Sequence, residues 1–361
     1  MSEKYGRAGT GLKASVMRLG FGMAAFALVV GSAVYGELIH GYGLLRKGDP
    51  DFTPFGRARI GISFLAALFL FIALKPVMRT LEVVRGERAQ AFWGIGVAGG
   101  FLLAVAAAVH FVPTSLNDFV REMQPLGMAT EVLLIAAVIS FLVAAWRSRS
   151  VRGARLLGVF PPCLVLAGMA GVVLLILMEE MSWGQHWLGW GTPDLFSKNI
   201  QNETNIHNFY TYQFEAIYYT SAIFCFVVLP WCWPRGAGGL FGQVEAYIPP
   251  RIFALFGLPV ASLMFESWNI VPYQVWFFLG LLICLDIVRQ LKSSELRLAA
   301  IALAAIYVFS KLVFIIRGVD MVDGYELSEV RELYISLLFL AYGCLLAKRF
   351  RRQAEGQYLT A

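Results

Sequence analysis

Residues 158–180 read GVFPPCLVLAGMAGVVLLILMEE, an apolar run that closes on two consecutive carboxylates, Glu179 and Glu180. The run is long enough to cross a hydrocarbon core of about 30 Å, which takes roughly 20 helical residues. From 178 to 208 the chain continues MEEMSWGQHWLGWGTPDLFSKNIQNETNIHN, and the apolar character stops. That stretch holds Glu179, Glu180, Ser182, Gln185, His186, Asp194, Gln201, Glu203, Asn205, His207 and Asn208, together with Trp183, Trp187 and Trp190. Ionisable groups at membrane depth cost several kcal/mol unless paired or wet, so a Glu-Glu pair closing an apolar helix marks a functional site by default.

Working outward, nine further apolar runs of similar length appear. The ten expected spans are 18–38, 58–78, 91–112, 128–146, 158–180, 214–233, 252–268, 272–289, 298–317 and 331–347. The composition agrees: 58% of the 361 residues are hydrophobic, 15% are charged and the mean hydropathy is +0.65, far from a soluble domain. The expectation is an all-α polytopic membrane bundle of about ten transmembrane helices. It forms a single transmembrane domain over 1–361, with a motif loop at 183–213. Span seven runs almost directly into Asn269–Pro272, so spans seven and eight read as a tight hairpin or a re-entrant pair. Residues 1–18 are polar and basic, but the run after them has no small-residue cleavage site, so the first span is expected to be retained.

The basic residues set the orientation. With the N-terminus in the cytoplasm, 20 of the 30 Lys and Arg fall inside and 8 outside, so both termini are expected to be cytoplasmic. Only the first outer loop, Gly41–Arg57, runs against this. The net charge of +6 is spread over short loops, which gives nucleic-acid binding no support. The five cysteines form no C-x-x-C pair and have no histidine at ligand spacing.

This orientation sends the 178–208 stretch, with His186 and His207, to the extracytoplasmic side. His40 and His110 end spans on the same side. Glu37, Glu131, Glu215, Glu266, Lys311 and Arg317 occupy outer halves of spans, while the inner halves hold little beyond Lys75, able to snorkel, and Asp286, with Arg289 three residues on. One-sided polarity of this kind fits a cavity opening outward.

Glu179 and Glu180 lie about 100° apart on a helix, so one at most points straight into a shared cavity. The bland reading pairs one of them with Lys311 or Arg317. Trp183, Trp187 and Trp190 fall at i, i+4 and i+7, one face of a short interfacial helix, which serves as an anchor or as a platform for a lipid-like substrate. Gln201 to Asn208 has the form Q-x-E-x-N-x-H-N. If helical, Glu203 and His207 share a face; if extended, Gln201, Glu203, Asn205 and His207 line one side. Either way Glu203 and His207 meet. They form a hydrogen-bonded acid–base pair, or half of a divalent metal site completed by Glu180 or His186. Capping of span six by Asn205 and Asn208 is the structural alternative. Lys311 and Arg317 hold a substrate phosphate or carboxylate, or else neutralise the carboxylates of neighbouring spans.

The motifs E-E-x-S-W-G-Q at Glu179–Gln185 and Q-x-E-x-N-x-H-N at Gln201–Asn208 resemble the signature of an uncharacterised family of bacterial polytopic membrane proteins. The resemblance implies importance for these positions and supplies no activity. In that family an arginine often follows the glutamine, where this chain has His186. Glu179-Glu180 also looks like the start of the intramembrane glutamate proteases of the CAAX-processing type. Their arginine and their F-x-x-x-H and H-x-x-x-N/D elements have no counterpart here.

The leading expectation is a membrane-embedded hydrolase or group transferase in a bacterial cytoplasmic membrane, acting on a lipid or lipid-linked substrate at the extracytoplasmic face. Its catalytic set is drawn from Glu179, Glu180, Gln185, Gln201, Glu203, Asn205, His207 and Asn208. Substrate binding falls to Lys311, Arg317, Glu266, Trp183 and Trp187, and a possible divalent ion to Glu180, His186, Glu203 and His207. The alternatives are an outward-facing transporter or flippase of an anionic lipid, with Lys311 and Arg317 as anion ligands, and a glutamate-type protease. A single site requires Glu179 or Glu180 within roughly 4–7 Å of Glu203 or His207, with Glu266 or Lys311 in the same cavity and His40 and His110 at its rim or outside.

Overall fold

A computed structural model describes residues 2–42, 49–75, 81, 83, 87–120, 125–151, 155–199, 202–236, 238–263, 270–321 and 327–356. Its main helices are α1 (Ser2–His40), α2 (Pro54–Leu74), α3 (Arg88–Phe111), α4 (Pro125–Ser148), α5 (Pro162–Glu180), α6 (Thr211–Cys232), α7 (Phe253–Ser262), α8 (Val271–Gln290), α9 (Ser294–Arg317) and α10 (Ser328–Ala354). Among the described residues, all of these except α7 are long and apolar enough to cross a membrane. Extended pairing there is limited to isolated bridges. The protein is an all-α, multi-pass membrane bundle.

The chain separates into two compact units. The first comprises Met1–Thr114, Ile223–Cys232 and Arg251–Glu326; the second comprises Ser115–Ala222, Trp233–Pro250 and Leu327–Ala361.

In the first unit α2 and α8 run parallel. Their C-terminal ends are joined where Leu81 N–H donates to Gln290 O at 2.9 Å and Lys75 Nζ meets Asp286 Oδ1 at 3.1 Å. Asp286 also accepts from Trp231 Nε1 at 2.9 Å and lies 3.6 Å from Arg289. Lys75, expected to snorkel, instead pairs with a buried acid. Helix α6 carries Pro230, which has no N–H to offer the carbonyl of Phe226, and the turn there widens to a π-helix over Phe224–Val228. The Phe226 carbonyl stands so close to α7 that a Cβ on Gly257 would lie 2.7 Å from it.

Helix α7 is where the spans differ from expectation. It holds ten residues, a rise of about 15 Å, half the thickness of a hydrocarbon core. It starts beside Gly94 on the first turns of α3 and stops at Ser262, whose Oγ is 3.2 Å from Ser310 Oγ in α9. The rest of the expected span, 264–268, lies outside the described residues. Apolarity sets whether a segment enters a membrane; it does not set whether the helix continues to the other side.

The second unit packs α4 between α5 and α10. Phe141, Leu166, Val173, Leu177, Leu346 and Phe350 form its core. Close approach of α4 and α10 requires Gly343, because a Cβ there would fall 1.9 Å from Ser140 Oγ. At the far end Arg349 Nη1 donates to Ile248 O at 3.0 Å, and Tyr342 donates to the carbonyl of Tyr247, which ties the 233–250 segment to α10.

Candidate active site

The carboxylates ending α5 are followed by a strained turn. Ser182 (φ 46°), Trp183 (φ 55°) and Gly184 (φ 90°) succeed one another in the left-handed region. The two residues with a Cβ cost about 1–3 kcal/mol each and persist only where their side chains are held. They are held: Ser182 Oγ donates to Glu203 Oε2 at 2.8 Å, and Trp183 Nε1 donates to Glu179 Oε1 at 2.8 Å. The turn also breaks the expected tryptophan face. Only Gln185–Leu188 is helical, so Trp183 and Trp190 lie outside that helix, although all three indoles are exposed. Trp187 Nε1 donates to Glu131 Oε2 on α4 at 2.9 Å.

Gln185 fastens the loop. Its Oε1 accepts from Thr204 N–H at 2.6 Å and its Nε2 donates to Thr192 Oγ1 at 2.8 Å. Asn199 exchanges two bonds with the Glu203 backbone. The 202–208 segment is neither the helix nor the strand that its spacing allowed. Asn202 is left-handed (φ 57°), and His207–Phe209 forms a 3₁₀ turn. Both periodicities are broken, and Glu203 and His207 take separate partners. Glu203 Oε2 accepts from Ser182 Oγ, from Asn205 Nδ2 at 3.0 Å and from Asn208 Nδ2 at 3.4 Å. Asn205 and Asn208 thus both donate their Nδ2 to Glu203, and Asn205 Oδ1, the atom a cap would use, has no hydrogen-bond partner among the described residues.

His207 pairs with the end of α5. Its Nδ1 lies 3.3 Å from Glu179 Oε2, and the same oxygen accepts from the backbone N–H of Ile206 at 2.8 Å and of His207 at 3.1 Å. With Trp183 on the other oxygen, the carboxylate is gripped from both sides. A carboxylate so fixed directs the imidazole: a proton on Nδ1 is shared with Glu179, and Nε2 is left as the acceptor.

Glu179 and His207 line a cavity of about 390 Å³ whose described lining residues all belong to the second unit. Glu131 enters it from α4, Glu179 and Glu180 from α5, Glu203 from the loop, Glu215 from α6, and Glu329 and Glu332 from α10. Leu175, Ile176, Ile206 and Phe214 supply apolar wall between them. Among the described residues, seven carboxylates and one imidazole line it, and neither lysine nor arginine does.

Lys311 and Arg317 are not lining residues. On α9 of the first unit, the buried Lys311 places Nζ 4.9 Å from the Phe277 ring centroid, and Arg317 pairs with Asp320 at 3.1 Å. His40 stacks on Phe55 with ring centroids 3.8 Å apart, His110 packs on Phe111, and neither lines the cavity. Gln201, Glu266 and the side chain of His186 lie outside the described residues. Among the described residues no three His, Cys, Asp or Glu side chains are gathered as a metal site; Glu203 and His207 are turned to different partners.

Sequence reasoning missed Glu332. Tyr219 on α6 donates its hydroxyl to Glu332 Oε1, and Arg331, 0% exposed, lies with its guanidinium 3.6 Å from the Tyr219 ring centroid. The signal was present as Arg331-Glu332 at the opening of an apolar span. Tyr218 was likewise overlooked as part of the wall.

Fold and site together define a multi-pass helical membrane protein whose second unit holds an acid-lined cavity walled on one side by a polar loop. Comparison with protein-family models, curated proteins and solved structures finds no match to this chain.

Proposed function

We propose that this protein is a membrane-embedded hydrolase or group transferase acting on a lipid or lipid-linked substrate at the extracytoplasmic face of a bacterial inner membrane. The observation that carries the reading is the Glu179–His207 pair at 3.3 Å, with the carboxylate fixed by two backbone amides and an indole on the wall of a cavity. His207 is the general base, taking a proton at Nε2 from water or from an acceptor hydroxyl. Glu179 orients the ring and stabilises it once protonated. Glu180 is the acid available to the leaving group. Glu203 holds the loop in place. The apolar wall matches an acyl chain, and the excess of basic residues on the opposite side of the spans supports both cytoplasmic termini and an outward cavity.

The test is turnover by purified, reconstituted protein given a bacterial lipid extract, with products read by mass spectrometry. The wild type is expected to consume a lipid that His207→Ala leaves intact while eluting as a folded particle. Product formation undiminished in His207→Ala sinks the catalytic reading. A transport reading draws on a different feature, the half-length α7 beside the buried Lys311, since interrupted helices often line transport sites. Lipid movement in liposomes that needs Lys311 but not His207 would favour it.

A further inference from the structure

We infer that the cavity recognises a primary ammonium group carried on a lipid chain. This deepens the preceding proposal, because it rests on the cavity being the substrate site and names the head group that fits it. The first support is charge: among the described residues, seven carboxylates line the walls and no lysine or arginine does. That lining opposes an anionic head group and attracts a cation.

The second support is independent of charge. Asn205 is 1% exposed and lines the cavity, and its Oδ1 has no hydrogen-bond partner. The amide cannot be turned round, because Nδ2 donates to Ser182 Oγ and to Glu203 Oε2, both at 3.0 Å, and the reverse would set oxygen against carboxylate. The hydroxyls of Tyr218 and Thr211, also in the wall, are buried without hydrogen-bond partners. A buried acceptor left unmatched costs free energy that a donor on a ligand recovers. The wall therefore calls for a group with several donors and a positive charge.

An ammonium has three donors and no acceptor. A quaternary amine has none and depends on an aromatic cage, for which Phe214 and Tyr218 alone are too few. A metal ion would need three close ligating side chains, which the described residues do not gather. A soluble amine would leave the apolar wall of Leu175, Ile176 and Ile206 uncovered.

The experiment is native mass spectrometry of the detergent-purified full chain, titrated in parallel with phosphatidylethanolamine, phosphatidylcholine, phosphatidylglycerol and free ethanolamine. Phosphatidylethanolamine is expected to be retained about tenfold or more over the other two lipids, the order expected for charge-assisted hydrogen bonds. Tyr218→Phe, which keeps the ring and removes an unpartnered hydroxyl, is expected to remain folded and to lower that preference. Equal retention of the three lipids, or a preference for phosphatidylglycerol, overturns the inference. Ethanolamine binding as tightly as the lipid overturns its lipid half. Ethanolamine selectivity with no turnover by the wild type sinks the enzymatic reading alone, whereas turnover with no ethanolamine preference sinks this inference alone.

Discussion

Glu203→Gln tests whether the carboxylate at the centre of the loop is a structural anchor. In the wild type one oxygen, Glu203 Oε2, receives Ser182 at 2.8 Å and Asn205 at 3.0 Å, with Asn208 more distant at 3.4 Å. Hydrogen bonds to a charged acceptor contribute about 1.5–3 kcal/mol and neutral ones about 0.5–1.5 kcal/mol. Glutamine keeps the shape and loses the charge, so the two short bonds together weaken by about 2–3 kcal/mol. For a cooperative unit of this size, roughly 2–4 °C of Tm goes with each kcal/mol, which gives a fall of roughly 5–10 °C. The assay is thermal denaturation in detergent followed by tryptophan emission, to which Trp183, Trp187 and Trp190 in the same loop contribute. Ser182→Ala combined with Glu203→Gln should cost less than the sum of the single changes, since both remove the same bond. A Tm within about 1 °C of wild type in Glu203→Gln would refute the anchor role, and loss of activity at unchanged Tm would reassign Glu203 to the chemistry.

Glu179→Gln should lower turnover by about 10²-fold or more while Tm falls less than in Glu203→Gln, because the amide can still accept from the backbone yet no longer stabilises a charged imidazole; equal turnover would remove Glu179 from the mechanism. Gly343→Ala drives a Cβ onto Ser140 Oγ at 1.9 Å and is expected to cost about 1–3 kcal/mol, much of it restored by Ser140→Ala in the double variant, as read by Tm. Asp286→Ala strips the partner from Lys75, Trp231 and Arg289 at once and should destabilise by about 3–5 kcal/mol, seen as poor yield or early thermal aggregation. Gly257→Ala should lower Tm as well, with no rescue by a second side-chain truncation, because the backbone carbonyl of Phe226, 2.7 Å from the added Cβ, cannot move aside as a side chain can.

Apolar run length alone determined the fold class, since in lipid a backbone must satisfy its own hydrogen bonds and the helix is the one local way to do so. The same reading singled out Glu179, Glu180, Glu203, Asn205, His207 and Asn208, which all line one cavity. It could not say which residue meets which. Helical or strand spacing both joined Glu203 to His207, but the left-handed residues Ser182, Trp183, Gly184 and Asn202 belong to no period, and they turn Glu203 toward Ser182 and His207 toward Glu179. Spans seven and eight already read as a tight hairpin or a re-entrant pair from Asn269–Pro272, but hydropathy averages over a window and did not place the end of α7 at Ser262. Glu332 stands far along the chain from the motifs and reaches the cavity only because α10 contributes to the same walls as α5 and α6. Pairings between distant residues are set by packing, and no local rule in the sequence contains them.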